Sequence, residues 1–141
     1  MPGEKAVTAK RVYDEPSHSD GERVLVDRLW PRGLKKAKAQ VDVWLREIAP
    51  SNELRKWFHA HADEREQFRK RYIEELHGGE ASEALARLRE LVHEKGKVTL
   101  LFASKNVDYN NATVLQEILS ASKRDLRASR PRKSAAVGPQ R

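Results

Sequence analysis

The sequence predicts a small α/β domain, with a short, mostly parallel central sheet and helices packed on its faces. Three observations carry this. The stretch 97–103, "KVTLLFA", is apolar on both sides of an extended chain, and continuous rather than alternating apolarity marks a central strand covered on both faces. Segments before and after it repeat apolar residues at helical spacing. Shorter β-rich runs stand nearer the amino terminus, so strands alternate with helices, the pattern of layered α/β architecture.

Taken in order, residues 6–13, "AVTAKRVY", predict a first strand that Asp14-Glu15-Pro16 ends. "HSDG" at 18–21 is turn chemistry, because Asp-Gly tolerates positive φ. Residues 23–29, "RVLVDRL", predict a second strand, closed by Pro31, which has no amide hydrogen to donate. Val41, Trp44, Leu45 and Ile48 fall at helical spacing, although "VDVWL" also alternates as a strand would. Pro50-Ser51 breaks the chain and offers an N-cap to a short helix with Leu54, Trp57 and Phe58 on one face. Asp63 is the expected cap of a longer helix carrying Phe68, Tyr72, Ile73 and Leu76, closed by Gly78-Gly79. The next helix is expected from about Ala81 to Glu94, with Ala84, Leu85, Leu88, Leu91 and Val92 as its stripe, stopped by Lys95-Gly96. After the central strand, Asp108 is the expected cap of a last helix with Val114, Leu115, Ile118 and Leu119 inward.

The 141 residues suffice for one domain and a real core. There is no cysteine, which excludes disulfides, thiolate chemistry and cysteine-ligated zinc. No apolar leader and no run of membrane-spanning length is present, so a cytoplasmic protein without a membrane partner is expected. Of the net charge of +7, +6 falls in residues 123–141, leaving +1 for residues 1–122. Residues 1–122 are thus read as the domain. The basic stretch 123–141 has no aromatic and no apolar period and is expected to be a disordered tail. Such a tail can bind polyanions by counterion release, which leaves nucleic acid as a partner through it.

Inside the domain one stretch is basic. Residues 23–38 carry Arg23, Arg28, Arg32, Lys35, Lys36 and Lys38 against Asp27 alone. In open α/β sheets ligands collect at the carboxyl ends of strands, where helix N-termini also point. The second strand ends in Asp27, Arg28, Trp30 and Arg32, and the last in Ser104, Lys105, Asn106, Asp108, Asn110 and Asn111. If these strands are parallel neighbours, the two sets converge into a site suited to phosphate or carboxylate. Arg28, Arg32 and Lys105 would neutralise the anion, and Asp27 would orient an arginine or act as a general base, with Asp27 and Lys105 the catalytic candidates. Ser104, Asp108 and Asn111 would bind or orient at the helix start, and Trp30 would supply a wall. A purely structural reading stands beside this one: an Asp27–Arg28 ion pair anchoring the turn, Trp30 capping a core, the asparagines capping a helix.

His59 and His61 with Asp63 and Glu64 have metal-ligand chemistry, but positions i and i+2 of a helix do not face each other, and no metal site is expected. Ser104-Lys105 is no nucleophile–base pair, because adjacent strand-end residues point apart. Without GxSxG, a Walker loop or GxGxxG, no cofactor is expected.

The segments "RVYDEP", "DGERVLVDRLWPRGLKK", "IAPSNELRKWF", "EQFRKRYIEEL" and "VTLLFASKNVDYNNATVL" together resemble the YeaO-like branch of the domain of unknown function 488 family, over roughly residues 9–119. The resemblance implies a fold and a pocket but no reaction. It marks Tyr13, Asp20, Gly21, Arg23, Asp27, Arg28, Trp30, Pro31, Arg32 and Gly33 as motif positions. It does the same for Pro50, Ser51, Leu54, Arg55, Trp57, Phe58, Tyr72, Leu76, Leu100 and Asn111. Related branches carry a cysteine near the last strand and a later Cys-His-Arg run. Here those stretches read "FASK" and "DYNNA", so cysteine- or metal-dependent chemistry does not carry over. A His-Asp pair common after the Trp-Phe step is not matched cleanly by "HAHADE".

The leading functional expectation is therefore a basic pocket for a small anionic ligand, phosphate- or nucleotide-like, with turnover left open. One rival is a nucleic-acid-associated accessory protein using residues 23–38 and the tail. Another is an interaction domain whose basic loop meets an acidic partner.

Overall fold

Val98, Leu100 and Phe102 alternate with Thr99 and Leu101, and all five side chains are buried. A strand covered on both faces belongs inside a sheet. The computed structural model describes residues 6–120, and it places this strand inside a four-stranded sheet. The strands are β1 (Ala6–Arg11), β2 (Glu22–Leu25), β3 (Val43–Trp44) and β4 (Lys97–Phe102). Their order is β1-β4-β2-β3, and every pairing is parallel. Leu100 is opposite Ala9 on one side and Val24 on the other. The expected tail lies outside the described residues.

Parity along the strands separates two cores. Val7, Val24, Val98, Leu100 and Phe102 face a cluster built from α2 (Asn52–Ala60), α3 (Arg65–Glu75), α4 (Gly79–Lys95) and α5 (Asn111–Ser120). Phe68, Tyr72, Leu88, Leu91 and Leu115 are its bulk. Leu25 and Leu101 face the opposite side, where Val12, Ala39 of the short helix α1 (Lys36–Ala39), Trp30, Leu34 and Trp44 cover them. The α/β class and the parallel sheet are as expected. The faces are unequal: four helices on one, a long loop with a single helical turn on the other.

Several boundaries differ from the expectation, each for a local reason. The second strand stops at Leu25 rather than 29, because the Asp27 carboxylate takes the Ala103 amide that a ladder would have used, at 2.8 Å. Residues 41–48 form no α-helix. The alternation prevails as β3, followed by a 3-10 turn at Arg46–Ile48. Ser51 caps α2 as expected, accepting from the Leu54 amide at 3.0 Å. Glu64, not Asp63, precedes α3, since a turn from His61 to Glu64 intervenes. Gly78-Gly79 opens α4 instead of closing α3. Asn110, not Asp108, caps α5: its side-chain oxygen accepts from the Thr113 amide at 3.1 Å while the Thr113 hydroxyl oxygen accepts from the Asn110 amide at 2.9 Å.

The connection from β1 to β2 contains no α-helix and is locked by polar contacts at the start of β2. Asp20 and Arg23, both buried, form an ion pair, and Lys10 reaches the same carboxylate at 3.2 Å. The Arg23 guanidinium also donates to the carbonyls of Ala39 at 2.7 Å and Gln40 at 2.9 Å. Gly21 is required here. Its φ is +66°, and an added Cβ would run into the Lys97 carbonyl oxygen.

Candidate functional site

In a parallel sheet the segments leaving each strand start from one edge, and the first residues past β2 and β4 meet there. The Asp27 carboxylate accepts from the Ala103 amide and, at 3.3 Å, from the Asn111 side-chain amide. The same Asn111 amide donates to the Val26 carbonyl at 2.8 Å. The Trp44 indole N–H donates to the Asp27 carbonyl at 2.7 Å. Asp27 therefore binds the ends of β2, β3 and β4 to the start of α5. Burial is the main influence on its carboxyl and raises its pKa above the ordinary 3.8, against the opposing pull of the Ala103 amide, Asn111 and the Arg55 charge.

Arg28 follows directly. One terminal nitrogen of its guanidinium donates to the Ala49 carbonyl at 3.0 Å, while its Nε is buried with no hydrogen-bond partner among the described residues. The segment it holds, 48–51, is fastened from α3 as well. The fully buried Tyr72 donates its hydroxyl to the Ile48 carbonyl at 2.6 Å. Glu75 accepts from the Ser51 amide at 2.9 Å and from the Ser51 hydroxyl at 2.7 Å. Burial pushes the Tyr72 hydroxyl well above its ordinary pKa, with the charges of Asp27 and Glu75 adding and Arg28 opposing. The result is a polar cluster beneath the N-termini of α2 and α5, where cation, carboxylate, amide and phenol are held by named partners.

Asp27, Arg28 and Asn111 come together as the strand-end argument required. The remaining candidates sit differently. Ser104 is exposed, its hydroxyl oxygen accepting from the Asn106 amide at 3.1 Å. Lys105 and Asp108 are exposed in the loop after β4, and Lys105 has no hydrogen bond or ion pair among the described residues. Arg32 is exposed, with its carbonyl accepting from the Tyr13 hydroxyl at 2.9 Å. Trp30 belongs to the second core: its indole N–H donates to the Leu34 carbonyl at 2.7 Å, and its ring meets Trp44 edge-on at 5.5 Å. Arg23, counted in the basic stretch, is a buried strut rather than surface charge.

His61 stacks on Trp57 at 4.7 Å with its Nδ1 2.8 Å from the Trp57 carbonyl oxygen. Among the described residues no group of three or more histidines and carboxylates is placed to hold a metal ion, and no helix is long and apolar enough to cross a membrane. Sequence reasoning about strand ends missed Arg55, Tyr72 and Glu75, which come from helices; Arg55 and Tyr72 were visible only as motif positions. It also missed Arg11 at the end of β1, which donates to the Ala103 and Ser104 carbonyls at 3.0 Å each. The signal there was available, since β1 ends on a cation beside the loop after β4.

Comparison with known proteins adds the family. The chain is 42% identical over 120 residues to an uncharacterized protein of Mycobacterium tuberculosis (strain ATCC 25618 / H37Rv), covering 85% of this chain and 98% of the relative. It is 44% identical over 113 residues to the uncharacterized protein YeaO of Escherichia coli (strain K12), covering 80% and 96%. No solved structure matches it. Residues 6–137 match the model of a family described as the inactive DUF488-N3 subclade. With the Asp27–Asn111 clasp and the parallel sheet in place, the chain is a YeaO-like member of the DUF488 family and belongs to that subclade.

Proposed function

We propose that this protein binds a small anionic, phosphate- or nucleotide-like ligand at the carboxyl ends of β2 and β4, and binds it without turning it over. The observation that carries the reading is the Arg28 Nε, a buried donor with no partner among the described residues, next to the Asp27–Asn111 clasp. An unsatisfied buried N–H costs about 1–3 kcal/mol, so an acceptor that reaches it is rewarded. Arg55 and the N-termini of α2 and α5 add positive potential to the same spot. Arg32 and Lys105 stand as exposed cations on the rim, with Ser104 and Asp108 as its polar groups. Asp27 orients Asn111 and the β4 end rather than serving as a base, and Trp30 braces the loop that carries Arg28 and Arg32. Binding without turnover fits the description of the subclade as inactive.

A thermal-shift series with phosphate, sulfate and mononucleotides tests this. Anions at one hundred times their dissociation constant should stabilise the parent by about 2.7 kcal/mol. Arg28→Gln should abolish the shift and Arg32→Gln should weaken it. If no anion shifts the parent, the reading fails. If Arg28→Gln lowers the melting point but leaves the anion shift intact, the arginine is structural only.

A further inference from the structure

Asp27 and Arg28 are consecutive residues of opposite charge just past β2, yet they do not pair with each other. Among the described residues no ion pair joins Asp27 to Arg28 or to Arg55. Each is only partly spent elsewhere. A carboxylate offers about four acceptor positions. On the half-buried Asp27 the Ala103 amide takes one at Oδ2 and the Asn111 side-chain amide one at Oδ1. Arg28 gives a terminal nitrogen to the Ala49 carbonyl and keeps Nε, among the described residues, without an acceptor.

The two charges flank one point in the fold. Tyr72 donates to the Ile48 carbonyl, next to the Ala49 carbonyl that Arg28 holds, and its hydroxyl feels Asp27 and Arg28 as opposing charges. Around the Asp27 carboxylate stand the Ala103 amide past β4, Asn111 from α5, Arg55 from α2 and Tyr72 from α3. A cation short of an acceptor thus adjoins a carboxylate with acceptor capacity left. An occupant satisfies both only if it brings an oxygen for the guanidinium and a hydrogen for the carboxylate.

Tetrahedral dianions of equal charge and similar shape differ in this one respect. Sulfate has acceptors alone, and an oxygen of it turned to Asp27 meets like charge, which discriminates against it. The methyl phosphate dianion likewise has no hydrogen to donate. Hydrogen phosphate keeps a P–OH. We infer, resting on the small-anion reading of this site, that Asp27 makes it selective for hydrogen phosphate, the carboxylate accepting from the P–OH while phosphate oxygens take the Arg28 donor. The anion keeps its proton, and no bond to phosphorus forms or breaks.

The test compares sodium phosphate, sodium sulfate and methyl phosphate in thermal-shift titrations of the full chain at about pH 7.5, where a phosphate monoester, with a second pKa of about 6, is mostly the dianion. Only the saturable part of each shift counts, because phosphate and sulfate also stabilise folded proteins by exclusion from their surfaces. Phosphate should bind the parent at least about tenfold more tightly than either of the others. Asp27→Asn, whose amide donates as well as accepts, should admit sulfate and narrow the preference to about threefold or less. Should that variant fail to fold, the order of the three anions on the parent still decides. Sulfate or methyl phosphate binding the parent as tightly as phosphate would overturn the selectivity while leaving small-anion binding in place. An undiminished preference in folded Asp27→Asn would overturn the part given to Asp27. No saturable shift with any of the three would sink both readings together.

Discussion

Asn111 and Asp27 stand 84 residues apart in sequence and 3.3 Å apart in space, amide against carboxylate. The contact joins the start of α5 to the end of β2, and the same amide satisfies the Val26 carbonyl. One side chain thus closes the junction on which the candidate site rests.

Replacing that side chain should loosen the junction in graded steps. Asn111→Ala leaves the Val26 carbonyl without its donor and should cost about 1–3 kcal/mol. Asn111→Asp should cost more, because it sets a second carboxylate against Asp27. Urea unfolding of the three proteins checks the order. Identical midpoints would mean that the clasp contributes nothing to stability.

Two carboxylates, the half-buried Asp27 and the buried Asp20, should give opposite pH dependences. Burial raises Asp27 above 3.8, so the folded state binds its proton more tightly than the unfolded chain does. Its contribution is then greatest below 3.8 and falls as pH rises through the raised folded value. For Asp20, burial also pushes upward, but the Ser17 amide, Lys10 and Arg23 outweigh it and hold the carboxyl below 3.8. That contribution is complete above 3.8 and is lost as pH falls through the folded value. The stability gap between parent and Asp27→Asn should therefore shrink with rising pH, and the gap between parent and Asp20→Asn should grow. Unfolding free energies measured across the acid range decide this, and parallel slopes would refute the assignment.

The Arg23–Asp20 pair should be among the most sensitive contacts in the chain. Arg23→Met would leave a buried carboxylate with only Lys10 and the Ser17 amide and leave the Ala39 and Gln40 carbonyls without donors. Breaking a buried pair from one side costs about 3–5 kcal/mol. Lys36→Ala, on the exposed face of the same basic stretch, should be near neutral. Comparable losses from the two substitutions would place Arg23 on the surface after all.

The contrast between Arg23 and Lys36 shows where sequence reading stops. Both count as one positive charge, and nothing in local composition separates a buried strut from a solvated side chain. That separation depends on parity along β2 and on a loop folding back from residues 39 and 40. The central strand was legible because buried apolar residues on both faces leave a continuous run, and the α4 stripe because its spacing is uninterrupted. Asp27, Arg28 and Asn111 were legible as neighbours once β2 and β4 were read as adjacent parallel strands. Tyr72, Glu75 and Arg55 were not, because they reach the strand ends from helices packed above, and packing between distant segments leaves no local period. The 41–48 segment satisfied helical and strand spacing alike, and pairing with β2, outside any local window, chose the strand.

Two glycines separate the cost of backbone shape from the cost of space. Gly21 and Gly33 both have positive φ, +66° and +75°. Any L residue at either position meets steric strain of about 1–3 kcal/mol. At Gly33 nothing lies within 4 Å of an added Cβ, so Gly33→Ala should lose only that amount. At Gly21 the added Cβ would overlap the Lys97 carbonyl oxygen and the inner carbons of the Lys97 side chain. The lysine chain can swing aside, but the carbonyl cannot, because Lys97 is the first residue of β4 and is held in register with Ala6. Relief would require β2 and β4 to part at the pairing of Glu22 with Val98. Overpacking of this kind costs a further 1–3 kcal/mol or so. Gly21→Ala should therefore unfold at a clearly lower urea concentration than Gly33→Ala, with amide exchange at Val98 and Thr99 accelerated in the first variant alone. Equal midpoints and unchanged exchange would show that the start of β4 yields to a methyl group, and that Gly21 is needed only for its backbone shape.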